Sequence, residues 1–106
     1  MGLKFTKVAT VNEVPPGTAR VVEVDGEQIA ICNVDGEFYA VSNECTHDGG
    51  SLDQGELDGE TIECPRHGAR FNVKTGEVVA PPAFSSVDTF PVRVLGKDVE
   101  VSAERA

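Results

Sequence analysis

The sequence predicts an all-β domain of short antiparallel strands, sandwich-like or barrel-like. Three observations predict it. Asp-Gly pairs recur between short apolar runs, at Asp25-Gly26, Asp35-Gly36 and Asp58-Gly59, and Asp-Gly supplies the positive backbone angles of a two-residue hairpin turn. The apolar weight is carried mostly by Val, Ile and Ala, beside five Phe, one Tyr and no Trp, a selection that suits pleated, half-buried surfaces. No ten-residue window shows convincing 3.6-residue periodicity.

The elements follow in order. "LKFTKVA" reads as an edge strand, and "VNEV" after it has room for one helical turn. Pro15-Pro16-Gly17 then breaks the chain before the second strand. "VVEV-DG-EQIAICNV-DG-EFYAVSN" reads as three strands joined by two tight turns. In the middle one Ala30, Cys32 and Val34 alternate onto one face, which makes Cys32 a core hydrophobe. Glu56-Leu57 and "ETIEC" flank the Asp58-Gly59 turn. "FNV-KTG-EVV" and "VRVL-GKD-VEV" are further hairpins with Gly76 and Gly96 in the tight positions. With no linker, repeat or low-complexity segment, the 106 residues form one domain, 1–106.

Charge excludes some functions. Nine Lys and Arg face 18 Asp and Glu, a formal net charge of −9. Phosphate contacts need a basic surface, so neither nucleic acid nor an anionic membrane is an expected partner. No apolar run approaches the length of a membrane span. The N-terminus has no secretory signal pattern, so a reducing cytoplasm is the expected compartment, where cysteines serve as ligands or catalysts more often than in disulfides. Gly2 and Thr6 match a loose myristoylation pattern of low specificity.

Both histidines stand beside cysteines. Cys45-Thr46-His47 is followed by sixteen residues and then Cys64-Pro65-Arg66-His67. Each cluster falls in a loop. "HDGGS" is loop by composition, and in "PRHG" Pro65 removes a backbone donor while Gly68 permits an unusual turn. The Asp58-Gly59 hairpin turns the chain back and brings the two loops side by side. Each loop alone is a weak signal. Together they use every histidine and leave only Cys32 unassigned, which chance explains poorly. Two thiolates and two imidazoles are able to hold one tetrahedral zinc, though zinc sites usually pair like ligands within a loop. One of each kind per loop suits a two-iron cluster in which one iron takes both sulfurs and the other both nitrogens.

The spacing C-T-H, sixteen residues, C-P-x-H-G, continued through "ARFNVKTGEVVAPPA", resembles the Rieske 2Fe–2S signature from Gly36 to about Ala83. The resemblance implies antiparallel sheets with a small cluster-binding subdomain, about residues 43–84, formed by two loops. It implies one 2Fe–2S cluster per chain, with Cys45 and Cys64 on the inner iron and His47 and His67 on the outer. "APPA", Ala80 to Ala83, is similar to the proline-containing loop that covers the cluster. Rieske proteins of the quinol-oxidising complexes carry two further cysteines, where this chain has Gly50 and Arg66. They also carry hydroxyl donors where it has Ala69 and Phe71. Lacking those donors to the reduced cluster, the chain is expected near the low end of the Rieske range, about −150 mV. Imidazole ligation through one ring nitrogen leaves the other to titrate, so reduction is expected to couple to proton uptake.

The pattern resembles the soluble ferredoxins of bacterial multicomponent oxygenases. That implies a monomeric one-electron carrier between a flavin-dependent reductase and an oxygenase, with no catalytic residues of its own. Two other expectations stand beside it: a small subunit of a larger oxidoreductase such as a nitrite reductase, and a structural zinc-binding interaction domain. Glu44 to Glu63 holds seven carboxylates and no Lys or Arg, with Arg66, Arg70 and Lys74 following. This acidic run suits steering towards a basic partner, and equally a solvated loop.

Overall fold

A computed structural model describes residues 4–43, 52, 55–64, 68–81 and 86–104. Among them are eleven strands and one 3₁₀ turn of three or more residues. The strands are β1 (Thr6–Thr10), β2 (Ala19–Val24), β3 (Glu27–Val34), β4 (Glu37–Ser42), β5 (Leu57–Asp58), β6 (Thr61–Glu63), β7 (Arg70–Asn72), β8 (Val78–Ala80), β9 (Thr89–Phe90), β10 (Val92–Leu95) and β11 (Asp98–Val101). The 3₁₀ turn, Val11–Glu13, occupies the predicted helical position. Its Thr10 and Glu13 form a reciprocal capping box, with the Thr10 N–H donating to Glu13 Oε1 at 2.8 Å.

The all-β expectation holds, and the strands divide into three antiparallel sheets: β1-β11-β10, β2-β3-β4-β9 and β5-β6-β7-β8. β1 lies at an edge, as its sequence suggests. Val24 pairs with Glu27 and Val34 with Glu37, leaving two-residue loops. In both loops both residues have positive φ: Asp25 51° and Gly26 81°, Asp35 52° and Gly36 94°. This is the turn whose twist matches paired strands. The third hairpin forms too, one residue further on. Asp58 pairs with Thr61, so Gly59 (φ 59°) and Glu60 make the turn.

The middle sheet has a core on each side, and its strand β3 is buried on both faces. Ile29 and Ile31 point into one core with Ala9, Val14, Val24, Ala40, Phe90, Val99 and Val101. Ala30 and Cys32 point into another with Val41, Leu52, Ile62, Cys64, Ala69, Phe71, Val73 and Val87. The strand's run of apolar residues without polar alternation follows from this two-sided burial. Burial of each large aliphatic side chain contributes about 1.5–3 kcal/mol. Cys32 is fully buried with Ala30, and Val34 packs against the same core, so its sequence reading holds. Burial pushes its thiol up to about 12, which keeps it neutral and unreactive. Asn33, 3% exposed, ties the Pro-Pro-Gly turn to β3: its Nδ2 donates to Val14 O at 2.7 Å and its Oδ1 accepts from Gly36 N–H at 2.7 Å.

Candidate metal centre

The second Cys-His segment grows from the β6–β7 hairpin. Glu63 pairs with Arg70, and one rung further Cys64 N–H donates to Ala69 O at 2.6 Å while Gly68 N–H donates to Cys64 O at 3.1 Å. Cys64 is thereby fixed at the mouth of a short loop whose return is eased by Gly68 at φ 79°. Alternation along β6 and β7 turns Ile62, Cys64, Ala69, Phe71 and Val73 inward, each at most 1% exposed. The two positions identified as lacking a hydroxyl, Ala69 and Phe71, therefore share one buried core with Cys64.

The first segment is bracketed in the same way. Asn43, 4% exposed, donates its N–H to Gln28 O and accepts Leu52 N–H, both at 2.9 Å. The chain thus leaves the central sheet at Asn43 and returns to it at Leu52, whose side chain enters the core that holds Cys64. Sequence reading identified neither Asn43 nor Leu52. Leu52, a lone apolar residue inside a polar run, was the available signal. Cys45, His47 and His67 lie outside the described residues, as do Gly2, Gly50, Arg66, and Pro82 and Ala83 of the "APPA" stretch.

The acidic stretch is less uniform than its sequence suggests. Lys74 Nζ lies 2.9 Å from Glu60 Oε2 and 5.5 Å from the centre of the Tyr39 ring. The hydrogen bond and charge of Lys74 hold Glu60 below the usual carboxylate range, and Glu60 in turn raises Lys74. Arg70 Nε meets Glu63 Oε1 at 3.3 Å. Among the described residues, Glu60 and Glu63 are thus answered locally, by Lys74 and Arg70. A surface groove of about 200 Å³ lies beside the Arg70–Glu63 pair, lined by Glu56, Leu57, Asp58, Thr61, Glu63 and Arg70.

The donor set fits a two-iron cluster. Two soft thiolates and two imidazoles match mixed ligation of that kind. The one candidate ligand among the described residues, Cys64, belongs to the same apolar core as Leu52 and Phe71. Residues 4–91 match the model of the Rieske [2Fe-2S] domain, and the chain belongs to that family, whose cofactor is a 2Fe–2S cluster.

The chain is 46% identical over 105 residues to the biphenyl dioxygenase ferredoxin subunit of Pseudomonas sp. (strain KKS102), covering 98% of this chain and 96% of that one. Among solved structures it resembles a chain in the complex of reduced oxygenase and oxidized ferredoxin in carbazole 1,9a-dioxygenase. The TM-score is 0.93 at 38% identity, over 99% of this chain and 98% of the other. The ferredoxin of carbazole 1,9a-dioxygenase from Nocardioides aromaticivorans IC177 superposes with a TM-score of 0.89 at 35% identity, over 92% and 96%.

Proposed function

We propose that this chain is a one-electron carrier that receives electrons from a flavin-dependent reductase and delivers them to the oxygenase of an aromatic-ring dioxygenase system. The observation that carries this reading is the match to a dioxygenase ferredoxin subunit along nearly the whole of both chains. Cys45 and Cys64 would hold the inner iron, and His47 and His67 the outer, and a cluster bound there would supply one-electron chemistry.

The chain's own residues do three things. The Cys64–Ala69 and Asn43–Leu52 closures fix the roots of the two ligand segments against one core. The apolar wall of Leu52, Phe71 and Val87 keeps water from the inner side. The carboxylates of residues 44–63 steer a basic partner surface towards the tip, and Glu56 and Asp58 border the groove available for it. The reading further takes residues 1–106 as a single Rieske domain with its cluster-binding part at about 43–84, and the carrier as a cytoplasmic monomer. Among the described residues no helix is long and apolar enough to cross a membrane.

The test is anaerobic purification followed by visible and electron paramagnetic resonance spectra with iron and sulfide assays. A brown protein with two irons and two sulfides per chain is expected, and a colourless zinc protein overturns the assignment. Stopped-flow reduction of the oxygenase of a biphenyl dioxygenase system then tests steering, with the rate falling as salt rises. A rate indifferent to salt removes the steering and leaves the cluster.

A further inference from the structure

The turn between β7 and β8 holds a second segment of chain. Gly76, at φ 79°, donates its N–H to Asn72 O at 2.7 Å, and its own carbonyl accepts Val87 N–H at 2.9 Å. A Cβ at Gly76 would run into the Val87 backbone oxygen and come within 3.1 Å of Thr89 Cγ2. One residue along, Asp88 O accepts Ser42 N–H from the end of β4 at 2.9 Å. Residues 87–88 therefore form a backbone strap, bonded on one side to the sheet that carries Cys64 and on the other to the strand end that leads to Cys45. The Val87 side chain, 5% exposed, belongs to the same core as Cys64, Leu52 and Phe71.

We propose that Gly76 is a positioning residue for the cluster: its bare α-carbon seats the 87–88 strap, which sets the spacing between the two ligand segments and closes the apolar wall behind them. The inference rests on the four-ligand reading above. Only glycine combines this backbone angle with so close an approach of another backbone. A methyl group at the seat displaces Val87 and lets water nearer the cluster. Water stabilises the more negative, reduced state, so the potential rises.

Gly96 supplies the control. It has φ 63° in the β10–β11 turn, and a Cβ there meets nothing within 4 Å. Gly96→Ala therefore adds left-handed strain without a collision. Gly76→Ala, Val87→Ala and Gly96→Ala are each prepared in the full chain and measured by voltammetry and electron paramagnetic resonance, with iron and sulfide content. The expected result is an upward shift of potential with altered g-values in the first two at full cluster content, and no shift in Gly96→Ala. An unshifted potential in a loaded Gly76→Ala chain, or an equal shift in Gly96→Ala, overturns the inference. If Gly76→Ala does not take up the cluster, Val87→Ala decides: a shift supports the wall and an unchanged potential overturns it. An unsubstituted chain without iron and sulfide overturns the cluster reading, and this inference with it, whereas a loaded but unshifted Gly76→Ala chain overturns this inference alone.

Discussion

The two halves of the molecule are built differently. In the base, strands of four to eight residues dominate, and five residues of β3 in succession are buried. In the tip, β5 to β8 have two or three residues each. A strand that short contributes few ladder bonds, and a unit of about 40 residues has too little core to stand without a metal or a neighbour. The tip instead leans on the central sheet through one core and is laced by single contacts: the Gly76–Val87 bond, the Asn43–Leu52 bond and the Lys74–Glu60 pair. β8 even carries a bulge, since Arg70 pairs with Ala80 and Phe71 with Val78, which leaves Val79 between them, 54% exposed. The difference teaches that the base specifies itself while the tip relies on its neighbour and on its cofactor, because metal binding and folding share one free energy.

The largest effect expected to break this contrast comes from Cys64→Ala. Cluster content should fall to nothing, and amide exchange should quicken across β5–β8 while β2–β4 keep their protection. Equal loss of protection in both halves would show that the base depends on the cluster too. Next is Phe71→Ala, the largest fully buried side chain among the described residues, expected to cost about 3–5 kcal/mol in denaturant titration. Ile31→Ala in the base should cost a similar ~2–5 kcal/mol but leave iron content unchanged.

A smaller effect appears in alkali. The Cys32 thiol has an ordinary value of 9.0 and a folded value of about 12. Below the first it is protonated in both states and contributes no slope. Between the two, only the unfolded chain gives up the proton, so stability should fall with rising pH by about 1.4 kcal/mol per unit. Cys32→Ala should remove that limb of the profile. The smallest effect is that of Lys74→Ala. Both partners of its ion pair are well exposed, so the denaturation midpoint should move little and not at all in high salt. A large shift would mean that the tip is held from its surface rather than from its core.

The sequence made the local chemistry readable and hid the long-range pairing. Asp25-Gly26 and Asp35-Gly36 announced their turns because both residues must adopt positive φ, a demand few other pairs meet. The same signal at Asp58-Gly59 found the hairpin but not its register, which the Leu57–Ile62 and Asp58–Thr61 pairings set. The division into three sheets depends on β1 joining β11 and β4 joining β9, partners far apart in the chain. At the site, the spacing of Cys45, His47, Cys64 and His67, through its resemblance to the Rieske signature, was enough to name a cofactor. The strap was not legible, because nothing local in "KTGEV" reveals what another backbone presses against.

β3 serves both halves at once, its isoleucines on one side and its small residues, Ala30 and Cys32, on the other. The tip is therefore no portable module. Grafting it onto a foreign scaffold would require transplanting that shared partition as well, with its narrow side chains facing the guest.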